Sequence, residues 1–241
     1  MKNFILFIFI FLISIFLYFN CYKSNIIEIN SKKKGKTLLI VAGIHGDETT
    51  GVIATNLLKN LLKNNSIKLK AGRIILIETL NKCGYMLNNR YYTTIPKNKD
   101  LNSTYDNKFQ VTKPVIDLVK KADIIIELHD GWGFKKKHKK SVGSSINFHH
   151  IDKSVRKELI KLLNKDIKIN YKKFTENIRG PYKNSLRYVA NKLKKKYLLV
   201  ETTGQDDLTD LSPEFIIYPL NIRVNQVLLI FRYLLEKYKF L

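Results

Sequence analysis

Three side chains in this sequence have the types and spacing of metal ligands. His45 and Glu48 are three residues apart in the stretch Gly43–Thr49, and His129 opens the stretch His129–Gly131. An imidazole nitrogen and a carboxylate on one turn can bind one side of a divalent metal, above all zinc. Adding the second histidine leaves a fourth coordination position for water, which is the pattern of a catalytic zinc site and not of a structural one.

Two apolar runs are placed to bring these side chains together. Thr37–Ala42 and Ala122–Leu128 predict buried strands, and a candidate ligand follows the end of each run. Parallel strands bring their carboxyl ends to one edge of a sheet, where open α/β folds bind their ligands. His129 is therefore expected to approach the first two candidates although it lies far along the chain. The glycines of the first turn permit a tight bend, and Asp47 or Thr49 is expected to cap the helix that follows.

Other runs of the sequence predict the remaining elements of one domain. Strands are predicted at Arg73–Thr79, Ser141–Phe148 and Tyr197–Val200, and helices at 52–62, 111–119, 155–163, 185–196 and 219–239. Strands that alternate with helices in this way indicate the α/β class. We expect three layers, in which a mixed, largely parallel sheet carries helices on both faces.

The order and spacing of four motifs resemble those of a known clan of enzymes. The motifs are His45–Glu48, Asp100–Asn102, Glu127–Gly131 and Glu201, the last at the end of a late apolar strand. Together they resemble the zinc carboxypeptidase clan, which includes the carboxypeptidase A-like peptidases and the succinylglutamate desuccinylase/aspartoacylase proteins. Within that clan, Leu128–Phe134 most resembles the murein DL-carboxypeptidases that trim peptidoglycan in curved and helical bacteria. The resemblance extends from about Thr37 to Thr203.

The resemblance implies a zinc carboxypeptidase-like fold, one zinc ion per chain and a set of residue roles. His45, Glu48 and His129 match the zinc ligands of the clan. Glu201 matches its general base, and Glu127 is a rival carboxylate on an earlier strand. A carboxylate at the end of an apolar strand is costly to desolvate unless it has a partner or a function.

The resemblance also implies a substrate-binding loop between two of the strands. Arg90 matches the arginine that polarises the scissile carbonyl, and Asn102 matches the first member of an Asn-Arg pair that binds a substrate carboxylate. The arginine of that pair is missing, because the next residue is Ser103. Losing a bidentate carboxylate clamp is not a conservative change, so recognition of a terminal carboxylate needs another group. Arg179 is one candidate, and a surface arginine unrelated to the site is the alternative.

The N-terminus predicts export. Lys2 is followed by an apolar run from Phe4 to Phe19 without a charged residue, which is short for a membrane span but suits the core of a signal peptide. The expected domains are therefore a signal peptide or N-terminal membrane anchor at residues 1–24 and a catalytic domain at residues 25–241. Such a protein would be periplasmic or attached to the cell envelope. Cleavage, lipidation at Cys21 and retention as an anchor are alternatives that the sequence leaves open.

The chain is strongly basic, with 43 Lys and Arg against 20 Asp and Glu and a formal charge of +23. Such an excess suits an anionic partner, and nucleic acid belongs to that class. Lysine is nevertheless spread along the whole chain, as in proteins from AT-rich genomes, and the export segment argues against nucleic acid. Peptidoglycan stem peptides and anionic wall polymers are acidic and fit the charge. Lys135–Lys140, just after His129, is either a solvated loop or a rim that faces the substrate.

These observations predict an exported, zinc-dependent carboxypeptidase or amidohydrolase that trims peptidoglycan stem peptides by hydrolysing an amide bond. Three alternatives use the same fold. One is a desuccinylase- or aspartoacylase-like amidohydrolase that acts on a small acyl amino acid. Another is a general exported carboxypeptidase, and the third is a catalytically inactive, wall-binding homologue without zinc.

Overall fold

The computed structural model describes residues 24–93, 97–204 and 217–241, together with Phe9. Within these residues the strands are β1 (Ile26–Asn30), β2 (Thr37–Val41), β3 (Arg73–Ile77), β4 (Ile124–Gly131), β5 (Ser145–His149), β6 (Thr175–Glu176) and β7 (Lys196–Thr203). The α-helices are α1 (Thr49–Lys63), α2 (Lys82–Met86), α3 (Lys113–Lys121), α4 (Lys153–Leu163), α5 (Leu186–Lys192) and α6 (Leu220–Lys237). Short 3-10 turns lie at Leu101–Ser103 and Asn170–Lys172.

The strands form one sheet in the order β1-β3-β2-β4-β7-β5-β6. Neighbours from β3 to β7 are parallel, as are β5 and β6, whereas β1 is antiparallel to β3 and β5 is antiparallel to β7. The predicted α/β fold with a mixed, largely parallel sheet is confirmed. The sequence did not predict β1, because its side chains alternate between exposed and half-buried on an edge strand and give no apolar run.

Alternate residues of the strands enter two separate cores. Even-numbered side chains such as Leu38 and Ile126 pack against α1, α4 and α6. Odd-numbered side chains such as Leu39 and Ile125 pack against α3 and α5. This is the period of two that a strand imposes, and it gives the sheet helices on both faces, as expected.

Strands β4 and β7 are longer than the sequence predicts. They continue to Gly131 and Thr203, so His129 and Glu201 lie within strands and are direct neighbours in the parallel register. The predicted ends were too early because polar residues interrupt the apolar pattern while the backbone pairing continues. The extended pairing fixes the carboxylate of β7 beside the histidine of β4.

The start of α1 also differs from the expectation. Glu48, and not Asp47 or Thr49, occupies the N-cap position, and its side chain makes no capping hydrogen bond. Instead, Asp130 of β4 accepts a hydrogen bond from the backbone N–H of Thr50, with a distance of 3.0 Å to Oδ2. One of the unpaired N–H groups at the helix start is thus satisfied by a distant strand. The Glu48 carboxylate remains available to the candidate site.

Most of the predicted signal or anchor at residues 1–24 lies outside the described residues. In the ranges that are described, no helix has the length and apolar character needed to cross a membrane. The boundary between residues 24 and 25 therefore stays a prediction.

Candidate active site

The three predicted metal ligands meet at the carboxyl edge of the sheet. His45 follows β2, Glu48 begins α1 and His129 lies in β4, and all three side chains are buried. Gly43, with φ of +61°, turns the chain from β2 towards them in a conformation that favours glycine. Glu48 Oε1 is 2.7 Å from His45 Nδ1, and Glu48 Oε2 is 2.7 Å from His129 Nδ1. The two Nδ1 atoms are 3.2 Å apart, so the structure brings the three ligand groups into one buried cluster.

Each imidazole is held from its far side by a second carboxylate. His45 Nε2 is 3.1 Å from Asp100 Oδ1, and His129 Nε2 is 2.9 Å from Glu127 Oε1. Because an ionised carboxylate only accepts hydrogen bonds, Nε2 of each ring donates to its carboxylate, and loss of the Nδ1 proton would leave that nitrogen free to bind a metal ion. Carboxylates placed behind metal-binding histidines commonly fix the ring in this way. Glu127 is fixed in turn by a short hydrogen bond from the hydroxyl of Tyr197.

The Glu48 carboxylate is the electrostatic centre of the cluster. It also accepts hydrogen bonds from Arg90 Nη1 at 2.8 Å and from the backbone N–H of Asp130 at 3.2 Å. Burial raises the pKa of Glu48, but His129 and His45 outweigh burial and hold that pKa well below its usual value. Burial lowers the pKa of His129, yet the neighbouring carboxylates raise it well above the ordinary histidine value. The same group of charges therefore stabilises Glu48 as an anion.

Glu201 lies beside His129 in the pairing of β4 with β7. Burial raises the pKa of Glu201, the positive charge of His129 opposes this, and the resulting pKa is about 7. Gly131 makes room for the carboxylate, since a Cβ added there would be 3.0 Å from Glu201 Oε2. A carboxyl group with a pKa near neutrality is suited to accept a proton and then to return it.

The other predicted site residues lie at different distances from this cluster. Arg90 contacts Glu48 directly. Asn102 is linked to the cluster through Asp100, because its backbone N–H donates to Asp100 Oδ1 at 2.9 Å. Ser103 is exposed, and its hydroxyl donates to the Asp100 carbonyl at 2.9 Å. Arg179, the sequence-based candidate for the missing arginine, is exposed on the loop before α5.

A second buried polar group lies on the opposite face of the same strands, and we name Asp130, Thr50, Thr202 and Arg223 the support cluster. Asp130 accepts a short hydrogen bond from the Thr202 hydroxyl and lies 3.4 Å from Arg223 Nη1. Arg223 also donates to Thr50 Oγ1 at 3.0 Å. These contacts join β4, β7, α1 and α6 directly behind the metal ligands. No sequence motif predicts these contacts, because Arg223 is 93 residues from Asp130 on a helix without a recognisable motif.

The donor set fits a zinc ion. Two ligands bound at about 2.0–2.1 Å in a tetrahedron lie about 3.3 Å apart, close to the 3.2 Å between the two Nδ1 atoms. Within the described part of the chain, four carboxylates and one guanidinium lie around these histidines. They belong to Glu48, Asp100, Glu127, Glu201 and Arg90. We name these five residues and the two histidines the metal cluster. With both histidines neutral, as metal binding requires, these groups carry a largely buried surplus of negative charge, which is costly without a counter-ion and suits a divalent cation.

Residues 34–166, more than half of the sequence, match the succinylglutamate desuccinylase/aspartoacylase catalytic domain. The chain belongs to this family. The matched region contains the three candidate ligands, Arg90 and Asn102, and it ends before Glu201. The family resemblance read from the motifs is thereby confirmed, and the family's characterised members are hydrolases. A comparison with curated protein sequences found no match.

Solved structures share the fold of this desuccinylase/aspartoacylase family member. Tripeptide-bound cell shape determinant Csd4 from Helicobacter pylori has a TM-score of 0.67 and 20% identity, covering 91% of this chain and 56% of Csd4. The mDAP-bound form of Csd4, described as a D,L-carboxypeptidase, has a TM-score of 0.67 and 19% identity, covering 89% and 55%. A succinylglutamate desuccinylase from Silicibacter has a TM-score of 0.58 and 16% identity, covering 89% and 60%. At these identities the similarity concerns the fold, and the chain spans little more than half the length of Csd4.

Proposed function

We propose that this family member is an exported, zinc-dependent hydrolase that cleaves an amide bond in peptidoglycan stem peptides, as a DL-carboxypeptidase does. The observation that carries the proposal is the buried metal cluster, with Glu201 beside His129 at the carboxyl edge of the sheet. Metal-assisted amide hydrolysis needs ligands, a base and a cation near the carbonyl oxygen, and the cluster offers a candidate for each. Export rests on the uncharged apolar run from Phe4 to Phe19.

The side chains divide the chemistry between them. His45, Glu48 and His129 would hold the zinc ion, which when bound supplies a Lewis acid that polarises the amide carbonyl and acidifies water. Glu201, beside His129 in the pairing of β4 with β7, takes a proton from the attacking water and passes it to the leaving amine. Arg90, whose Nη1 is 2.8 Å from Glu48, donates to the carbonyl oxygen as negative charge develops there.

An acidic peptide is the substrate class that best fits this chain. A stem peptide carries several carboxylates, and the chain has a formal charge of +23. The fold shared with tripeptide-bound Csd4 supports a peptide substrate. We expect cleavage of the bond that joins the D-glutamyl residue to the diamino acid of a tripeptide stem.

A second candidate is hydrolysis of a small acyl amino acid. It is favoured by the match of residues 34–166 to the succinylglutamate desuccinylase/aspartoacylase catalytic domain. Both reactions would use the same metal ligands and the same base. They differ in the acyl group and in the leaving amino acid that the pocket must accept.

The two candidates are separated by one assay of the purified protein. Stem tripeptide, N-succinylglutamate, N-acetylaspartate and a blocked L-dipeptide are incubated in parallel, and the products are identified by mass spectrometry. We expect about one zinc ion per chain by elemental analysis and cleavage of the tripeptide, with Glu201→Gln as the inactive control. Cleavage of the acyl amino acids alone would favour the second candidate, and cleavage of the L-dipeptide alone would indicate a general carboxypeptidase. A chain without metal or turnover would be a wall-binding homologue, and cell fractionation tests export.

A further inference from the structure

Cys83, in the short helix α2, is a disulfide-bonded cysteine. The residue is 4% exposed, and a sulfur buried in this way is poorly placed for a bond to a second molecule. The sequence contains one other cysteine, Cys21, which precedes the described residues. A disulfide within the chain can therefore join Cys83 to Cys21 and to no other residue.

The path of the first strand leads the chain towards this helix. β1 runs antiparallel to β3 throughout its length. Before β1, the Ser24 hydroxyl donates to the Leu80 carbonyl at 3.0 Å, so the two segments are still adjacent beyond the paired strands. Cys21 is three residues before Ser24, and Cys83 is three residues after Leu80. In antiparallel segments such positions face one another, and three residues span at most about 11 Å, which brings the two sulfurs within reach.

The helix that carries Cys83 also supports the candidate active site. Asn81 Oδ1 accepts a hydrogen bond from the Gly84 backbone N–H at 3.0 Å, and Asn81 Nδ2 donates to the Arg90 carbonyl at 3.2 Å. The same carbonyl accepts from the backbone N–H of Gly46, in the turn of the first metal ligand, at 3.3 Å. A Cβ added to Gly46 would lie 2.1 Å from the carbonyl carbon of Gly84, so this turn and α2 are in close contact. A covalent bond at Cys83 therefore attaches the N-terminal segment beside Arg90 and the ligand turn.

The segment that would be attached needs such a support. β1 is an edge strand of the described sheet, its side chains are exposed or half-buried, and Ile26 is 42% exposed. A strand at an edge and near a chain terminus separates easily from its neighbour unless it is held. A bond between residues 21 and 83 closes a loop of about 60 residues, which stabilises the folded chain mainly by restricting the unfolded one.

We propose that a disulfide bond between Cys21 and Cys83 fastens the N-terminal segment to α2, and that the mature chain therefore keeps Cys21 without a lipid. A thioether to a lipid occupies the sulfur that the disulfide requires, so the two modifications exclude each other. Cleavage after residue 21 would remove the partner of Cys83, whereas cleavage before Cys21, or retention of the segment as an anchor, keeps that partner. Of the alternatives that the sequence leaves open, lipidation is excluded and cleavage is confined to positions before Cys21.

Formation of the bond is a two-electron oxidation. The two thiols give up their protons and two electrons, one S–S bond forms between them, and the disulfide of a thiol oxidoreductase in the envelope is reduced to a dithiol. Such oxidants act in the periplasm, whereas cytosolic thiols stay reduced. The proposal thus rests on the export in the proposed function, and it does not depend on the reaction at the metal cluster.

Mass spectrometry of the full chain tests the bond directly. The protein is taken from the periplasmic and membrane fractions of the expressing cells, its free thiols are blocked by alkylation, and it is digested without reductant. We expect a linked peptide that contains Cys21 and Cys83 and that separates into two peptides on reduction. Alkylation of Cys83, a lipid on Cys21 or a mature N-terminus beyond residue 21 would each overturn the proposal.

Thermal unfolding measures what the bond contributes. Cys21→Ala removes the crosslink but leaves the buried Cys83 side chain in place, and we expect its Tm to be about 5–15 °C below that of oxidised wild type. A phosphine reductant should lower the Tm of wild type by a similar amount and should leave that of Cys21→Ala unchanged. Ser24→Ala is the matched control, because it loses the neighbouring hydrogen bond and keeps the crosslink, so its Tm should still respond to the reductant. A wild-type Tm that does not respond to the reductant would count against the proposal.

The location of the protein and its hydrolysis of the stem peptide are measured on the same preparations. A linked peptide in a periplasmic protein without activity would sustain the disulfide and defeat the proposed reaction. An active periplasmic protein with free or lipidated cysteines would defeat the disulfide and leave the proposed function intact. A cytosolic protein with two free thiols would defeat both the export and the disulfide.

Discussion

His129 and Asp130 are neighbours in β4, but their side chains enter two different polar clusters on opposite faces of the sheet. In the support cluster, Asp130 meets one arginine, two threonines and little else, so its charge is matched and its hydrogen bonds are filled. In the metal cluster, His129 lies among four carboxylates and a single guanidinium. Both clusters are buried at the same edge. A charge-matched network stabilises the fold, whereas the metal cluster carries surplus negative charge once its histidines are neutral, and that surplus suits a cation.

The largest expected effect comes from removing a ligand of the metal cluster. His129→Ala should abolish stoichiometric zinc binding and all measurable hydrolysis, because a ligand and its fixed imidazole are both lost. Elemental analysis and the peptide assay measure the two effects. The fold should survive, since the charge-matched contacts are on the other face. Full zinc content in a folded His129→Ala protein would refute the assignment.

Removing the base should separate chemistry from metal binding. Glu201→Gln should keep zinc and reduce kcat by about 10²- to 10⁴-fold, because only the proton acceptor is lost. Steady-state kinetics with parallel zinc analysis measures this. An active Glu201→Gln enzyme would show that a different group accepts the proton.

A substitution in the support cluster should lower the free energy of unfolding and should not act directly on hydrolysis. Arg223→Met leaves Asp130 buried without its cation and should lower the free energy of unfolding by about 3–5 kcal/mol. Denaturant titration measures the change. Arg232→Met is the matched control, since its ion pair with Glu236 is exposed and such pairs contribute little. Equal effects of the two variants would mean that the buried network is not a stabilising element.

Glu127 should affect metal affinity more than turnover. Glu127→Gln weakens the hydrogen bond that orients His129, and we expect zinc affinity to fall by about 10- to 100-fold. Competition with a chelator measures the affinity, and saturating zinc should restore most of the activity. A Glu127→Gln enzyme that is inactive at saturating zinc would instead identify Glu127 as the base.

The smallest effect is a dependence of stability on pH in the metal-free protein. The pKa of Glu201 is about 7 in the folded chain against an ordinary value of 4.5, so between these pH values the folded state binds more protons than the unfolded state. Stability therefore falls as pH rises through this window. The free energy of unfolding of Glu201→Gln, relative to that of wild type, should be about 1–3 kcal/mol higher at pH 8 than at pH 5. Denaturation in the presence of a chelator measures both proteins. An unchanged difference between the two proteins at both pH values would contradict the raised pKa.

Local pattern was enough to predict the framework and to bring the candidate ligands to one edge of the sheet. The apolar runs before His45 and His129 located β2 and β4, since buried parallel strands read as continuous hydrophobic segments. The rule that parallel strands share a carboxyl edge then predicted that the two histidines lie close together. Glu201 was found in the same way, as a carboxylate that follows a buried run.

Packing between distant elements sets what surrounds those candidate ligands. Asp100 and Glu127 each contact Nε2 of a histidine ring and so orient that ring. The sequence does not show directly which ring nitrogen a carboxylate contacts. Asp130, on a distant strand, accepts a hydrogen bond from the backbone N–H of Thr50 at the start of α1. A local capping residue was expected there. Strands follow from local periodicity, but charge pairing depends on which distant elements pack together, and only the folded chain determines that.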